Sequence, residues 1–157
     1  MSHFFELTIN RFKDSTSEKK KNFTYVVEAD TYTEAEASAY SIMEMEGFGS
    51  NFDIVKIVKL DIDNVYMRDL DQDDEKTFFC QVKYMHTGID ERSGEEIVVD
   101  KFNLLVLTND FPSVVGFVEE GSVSDLKIIS QKHTNIFRMY FRSELPRTVH
   151  NEPQDEL

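Results

Sequence analysis

The chain has no tryptophan, one cysteine, three prolines and six glycines among its 157 residues. A single cysteine excludes an intramolecular disulfide and any zinc site built on cysteine pairs. Cys80 lies in "FFCQV", inside an expected strand, where a buried and inert thiol is the expectation. Such cysteine usage suits a reducing compartment, so a cytoplasmic location is expected. No apolar run approaches the roughly 18 residues of a membrane helix. The start "MSHFFELTINRFK" lacks a basic stretch followed by an apolar one, so no secretory leader is expected, and the final "QDEL" is read as a chance likeness to a retention signal.

The usual signatures of chemistry are also missing. His3, His86, His133 and His150 form no HExxH pattern and no i, i+4 pair on an expected helix. The glycines build no phosphate-cradling loop, and there is no GxSxG. Asp69, Asp71 and Asp73 imitate the first ligands of a calcium loop, but Asp74 stands where that loop needs glycine and Cys80 where it needs glutamate. That stretch is expected to be a solvated acidic linker. No enzyme, metal or cofactor is expected.

What the chain does have is core material, with 40% hydrophobic residues, and a formal net charge of −13. The charge is uneven. Arg11, Lys13, Lys19, Lys20 and Lys21 outnumber Asp14 and Glu18 near the start, and Lys127, Lys132, Arg138, Arg142 and Arg147 face Glu144 alone near the end. Everything between is strongly acidic.

Two stretches repeat one order of elements. Phe5, Leu7 and Ile9 alternate with polar residues, a period-two strand signal; "KDSTSEKKKN" is a loop and "FTYVVEAD" the returning strand. In "TYTEAEASAYSIMEMEG", Thr33 and Glu36 fit a capping box, Ala35, Ala39, Ile42 and Met43 form one apolar stripe, and Gly47 suits a left-handed stop. "FDIVKIVKLDI" is a third strand with Ile54, Val58, Leu60 and Ile62 on one face. The second half repeats this with "FFCQVKY", the hairpin loop "GIDERSGEE", "IVVDKFNLLVLT", a helix opened by Pro112 and carrying Val114, Val115, Phe117 and Val118, and "SDLKIIS". The expected fold is therefore α+β, with duplicated ββαβ units, six mostly antiparallel strands and two helices in a pseudo-twofold arrangement. The units are placed at 1–67 and 77–143, joined by the linker 68–76 and followed by a polar tail at 144–157, the whole forming one compact domain.

With catalysis unsupported, binding remains. The first reading is a non-enzymatic interaction or accessory protein that engages a protein partner through its sheet or loop surface, with homodimerisation through open sheet edges as an option. The second is a small single-stranded nucleic-acid-binding protein using the basic first hairpin and last strand, with Arg11, Lys13, Lys19, Lys20, Lys21, Arg138 and Arg142 as the contacts. A third is an acidic mimic of nucleic acid that occupies a host protein. No membrane partner is expected.

The run "VEADTYTEAEASAY", taken with Phe4-Phe5 at the head of the first strand and "DERSG" at residues 90–94, resembles the domain of unknown function 4494, a family of Bacteroidetes and their phages. The likeness covers roughly residues 4–141. The chain departs from the family pattern in Glu28-Ala29-Asp30 and in the Pro-initiated second helix. The resemblance implies no activity, substrate or catalytic residue. It implies a bacterial or phage setting and a cytoplasmic location.

Overall fold

The computed structural model describes residues 3–14, 16–67, 70–110 and 126–146. In chain order the elements are β1 (His3–Phe12), β2 (Lys20–Ala29), α1 (Tyr32–Met45), β3 (Phe52–Leu60), β4 (Asn64–Tyr66), β5 (Phe78–Ile89), β6 (Glu96–Thr108), β7 (Leu126–His133) and β8 (Ile136–Tyr140), followed by a single 3-10 turn at Arg142–Glu144. The class is α+β as expected, but the expected six strands and two helices are corrected to eight strands and one helix among the described residues. The second helix, expected to open at Pro112 and to be closed by Gly121, lies outside the described residues.

The strands form two four-stranded sheets, ordered β3-β1-β2-β8 and β4-β6-β5-β7. Within each sheet the long hairpin is antiparallel, and the third strand of that half pairs antiparallel with the first. The fourth strand runs parallel to the second strand of the hairpin: β8 on β2, and β4 on β6. The short strands that leave each half are thus exchanged. Accordingly the chain makes two compact units, one from the residues before Asp61 and after Asn135, the other from Asp61 to Asn135.

In the first unit α1 covers one face of the sheet. Phe5, Leu7 and Ile9 on β1, Tyr25, Val27 and Ala29 on β2, and Ala35, Ala39, Ile42 and Met43 on α1 form one buried cluster. The expected helix stripe is therefore the buried one. Phe4, Val26 and Met139, of opposite parity, are also buried. On β3 the face assignment changes. A bulge at Val55 shifts the register against β1, so Ile54 and Ile57 pack on the cluster, whereas Val58 pairs opposite Glu6.

The helix starts two residues earlier than the capping-box signal at Thr33 implies. Thr31 is the N-cap, its Oγ1 accepting from the Glu34 N–H at 3.1 Å, while the Glu34 carboxylate accepts from the Asp30 N–H at 3.0 Å. "TYTEAE" contains the T-x-x-E pattern twice, and the earlier copy is used. Thr31→Ala is expected to cost about 1 kcal/mol, read as a lower urea midpoint with an unchanged slope. At the other end Gly47 takes φ 87°, the left-handed conformation expected of it.

In the second unit the inner half of the ribbon is buried. Cys80, Val82, Leu104 and Val106 form a cluster with Phe78, Tyr84 and Ile128 packed against it. Burial pushes the Cys80 thiol pKa up, consistent with the inert thiol expected from sequence.

Candidate interaction surfaces

Arg11, Lys13, Lys19, Lys20, Lys21, Arg138 and Arg142 do not share one environment. Arg11 continues the inward parity of Phe5, Leu7 and Ile9 and is only 3% exposed. Its guanidinium lies 3.8 Å from the Phe23 ring centre and 4.3 Å from that of Phe48. It donates to the Tyr25 hydroxyl at 3.1 Å and to the Phe12 carbonyl at 2.6 Å. Glu46, just past the end of α1, is the hub of this group. Its carboxylate accepts from the Tyr25 and Tyr140 hydroxyls, each at 2.6 Å, and from Arg138 at 2.9 Å, with Arg11 Nη2 at 3.7 Å.

Arg142 is held elsewhere in the same unit. Its backbone N–H reaches the Glu28 carboxylate at 2.9 Å, its Nε reaches Glu34 at 2.8 Å and its Nη2 reaches Asp30 at 2.8 Å. The Arg142 hydrogen bond holds the Asp30 carboxyl below its usual range, and the same bond raises the Arg142 pKa. A groove of about 390 Å³ beside the first turn of α1 is lined by Asp30, Glu34 and Arg142 together with Ser38, Ser41 and Pro146. Lys13, Lys19 and Lys21 are exposed, and Lys20 is half-buried with Asp53 at 3.6 Å. The three arginines therefore face carboxylates, and only the hairpin lysines form a basic cluster. Alternation alone could have found Arg11, since it sits two residues beyond Ile9.

The hub has a consequence at high pH. Burial, and then the hydrogen bond to Glu46, push the Tyr140 pKa up to about 12; Tyr25 is raised by the same two causes. An unfolded tyrosine ionises near ~10. The unfolded chain thus loses these protons first, so stability is full below that value and falls as pH rises toward the folded pKa. The urea midpoint should hold up to about pH 10 and then drop, and Tyr140→Phe should flatten part of the drop.

The other distinctive surface is the outer half of the β5–β6 ribbon. Ile89 is 66% exposed, Ile97 44%, Val98 47% and Val99 55%. The turn is tied by the Asp90 N–H to the Glu95 carbonyl at 2.9 Å and by the Gly94 N–H to the Asp90 carbonyl at 2.8 Å, with Gly94 at φ 71°. Thr87 pairs with Val98 but His86 with Asp100, so Val99 is the extra residue of a bulge. A Cβ on Gly88 would stand 3.1 Å from Val99 Cγ2, so a larger residue there would require the Val99 side chain to shift by a few tenths of an ångström. Acids dominate this outer half: Asp90, Glu91, Glu95, Glu96 and Asp100 against Arg92 and Lys101.

Its backbone edge is open as well. β4 covers only Leu104, Leu105 and Val106 of β6. Asn103 is sealed by Asp63, whose carboxylate accepts from the Asn103 N–H at 2.7 Å while its own N–H donates to the Asn103 carbonyl at 2.8 Å. Among the described residues no strand pairs with 96–102 on that side. In the first sheet, β3 is likewise an edge strand, with Val55 exposed before Lys56 and Val58 exposed before Lys59.

A family model described as "Domain of unknown function (DUF4494)" matches residues 3–142. The chain belongs to this family. The match takes in every strand of both sheets together with α1, and both surfaces just described lie within the DUF4494 span. It agrees with the extent read from the aromatic strand start, the Thr-Glu junction and the later hairpin. No curated protein matches the chain.

Proposed function

We propose that this DUF4494 member is a non-enzymatic interaction protein, cytoplasmic and of bacterial or phage setting, that grips a protein partner with the outer half of its β5–β6 ribbon. One observation carries the reading: Ile89, Ile97, Val98 and Val99 are exposed together on a ribbon whose outer edge pairs with no other strand among the described residues. Clustered apolar side chains in water are disfavoured unless something covers them, and an open strand edge supplies the hydrogen bonds that a partner strand needs. This reading ranks above single-stranded nucleic-acid binding because Arg11, Arg138 and Arg142 direct their charge at Glu46, Glu34 and Asp30. Counterion release needs cations that face outward.

The same reading extends to the architecture. The matching strand orders support an internal duplication, in which each copy ends in a strand that completes the other copy's sheet.

A photo-crosslinking residue placed at Val98 in the full chain, expressed in its own host cell, tests the proposal. Discrete adducts are expected from position 98 and not from Glu36, which is exposed on α1. Equal yields at the two positions, or none at 98, would refute it.

A further inference from the structure

Among the described residues, the open edges of β3 and of outer β6 are complementary to each other. On β3 the sequence reads Lys56-Ile57-Val58-Lys59, and on β6 it reads Glu96-Ile97-Val98-Val99-Asp100. Lys56 pairs opposite Thr8 and Lys59 opposite Phe5, positions of opposite parity on β1, so the two lysines project from opposite faces. Glu96 pairs opposite Ile89 and Asp100 opposite His86, again of opposite parity, so the two acids do the same.

The spacing also agrees. The extra residue at Val99 means that Glu96 and Asp100 span three positions of the neighbouring strand, the interval that separates Lys56 from Lys59. An antiparallel pairing of the two edges sets Lys59 against Glu96, Val58 against Ile97, Ile57 against Val98 and Lys56 against Asp100. Both charge pairs and both apolar pairs then meet in one register, with the Glu96 carboxylate still accepting from the Thr87 hydroxyl of its own ribbon at 3.3 Å.

We infer that the occupant of the ribbon edge is a second copy of this chain, its β3 edge adding to β6 of the first. This rests on the ribbon being the contact element, and it goes further by naming the partner. Identical edges repel in the corresponding register, because β6 on β6 opposes Glu96 to Asp100 and β3 on β3 opposes Lys56 to Lys59. The charges that protect each edge from its own kind favour the mixed pairing. Such a contact is head-to-tail, so the pair retains one free β3 edge and one free β6 edge and assembly continues beyond two copies.

Sedimentation velocity on the full chain across a concentration series tests this, with two charge-reversed variants. Wild type should grow from monomer to a ladder of oligomers as concentration rises, whereas Lys56→Glu/Lys59→Glu and Glu96→Lys/Asp100→Lys should each stay monomeric. Mixing the two variants should restore the ladder, because each reversed edge finds its complement on the other chain. Wild type that remains monomeric overturns the inference. So does self-assembly of either variant alone, which would mean like edges pairing. A Val98 adduct with a different protein, alongside a monomeric wild type, removes this inference and leaves the contact role of the ribbon standing.

Discussion

Glu46→Ala should destabilise the first unit by about 3–5 kcal/mol, because it leaves a buried cation without its counter-charge. Arg11 is 3% exposed and the Glu46 side chain 10%, so water cannot readily take the carboxylate's place. The tyrosine hydroxyls lose an acceptor in the same step. The urea midpoint should fall while the slope holds, and a changed slope would indicate a looser fold rather than a lost contact. Glu46→Gln separates charge from hydrogen bonding. It retains an oxygen for one hydroxyl but cannot neutralise Arg11, so its loss should lie between alanine and wild type. Replacing both ends of the pair, in Arg11→Met/Glu46→Leu, should cost less than the two single losses added together, since no charge is left stranded.

Phe5→Ala is the second large effect, expected at about 3–5 kcal/mol. Phe5 is 1% exposed within the cluster between α1 and the sheet, and its ring meets Tyr32 edge-on at 4.9 Å. Truncation removes its buried area and leaves a hole that the stiff sheet can close only in part. A thermal melt reads the loss. Phe137→Ala makes a suitable comparison, since Phe137 is 39% exposed and should cost clearly less. Equal losses would show that the buried cluster is more plastic than its packing implies.

Much of this architecture was legible in the sequence, for local reasons. Phe5, Leu7 and Ile9 alternate, Ala35, Ala39, Ile42 and Met43 recur at helical spacing, and both patterns are read within one element. β4 and β8 were not legible as sheet members. At three and five residues they carry almost no periodicity, and their partners lie far away along the chain. The bulge at Val55 moved Val58 off the helix-facing side for a similar reason, since one extra residue inverts every later parity.

The candidate surfaces divide in the same way. The basic neighbours of Arg11 suggest an outward cation, although its parity with Ile9 points inward. Ile97, Val98 and Val99 look like core in the sequence, because an aliphatic run does not reveal how far a hairpin extends beyond the strands that cover it. Only the pairing, in which β4 reaches no farther out than Leu104, shows that no strand among the described residues covers the outer half.

The exchanged strands also impose an order in time. β4 has already been made when β5 and β6 emerge from the ribosome, so the outer neighbour of β6 is at hand when that hairpin forms. β2 has no such neighbour waiting. Its parallel partner, Ile136–Tyr140, is made only after the whole of the second unit. At ordinary synthesis rates that leaves the edge of β2 uncovered for roughly 5–20 s. The sheet begun first is the one finished last.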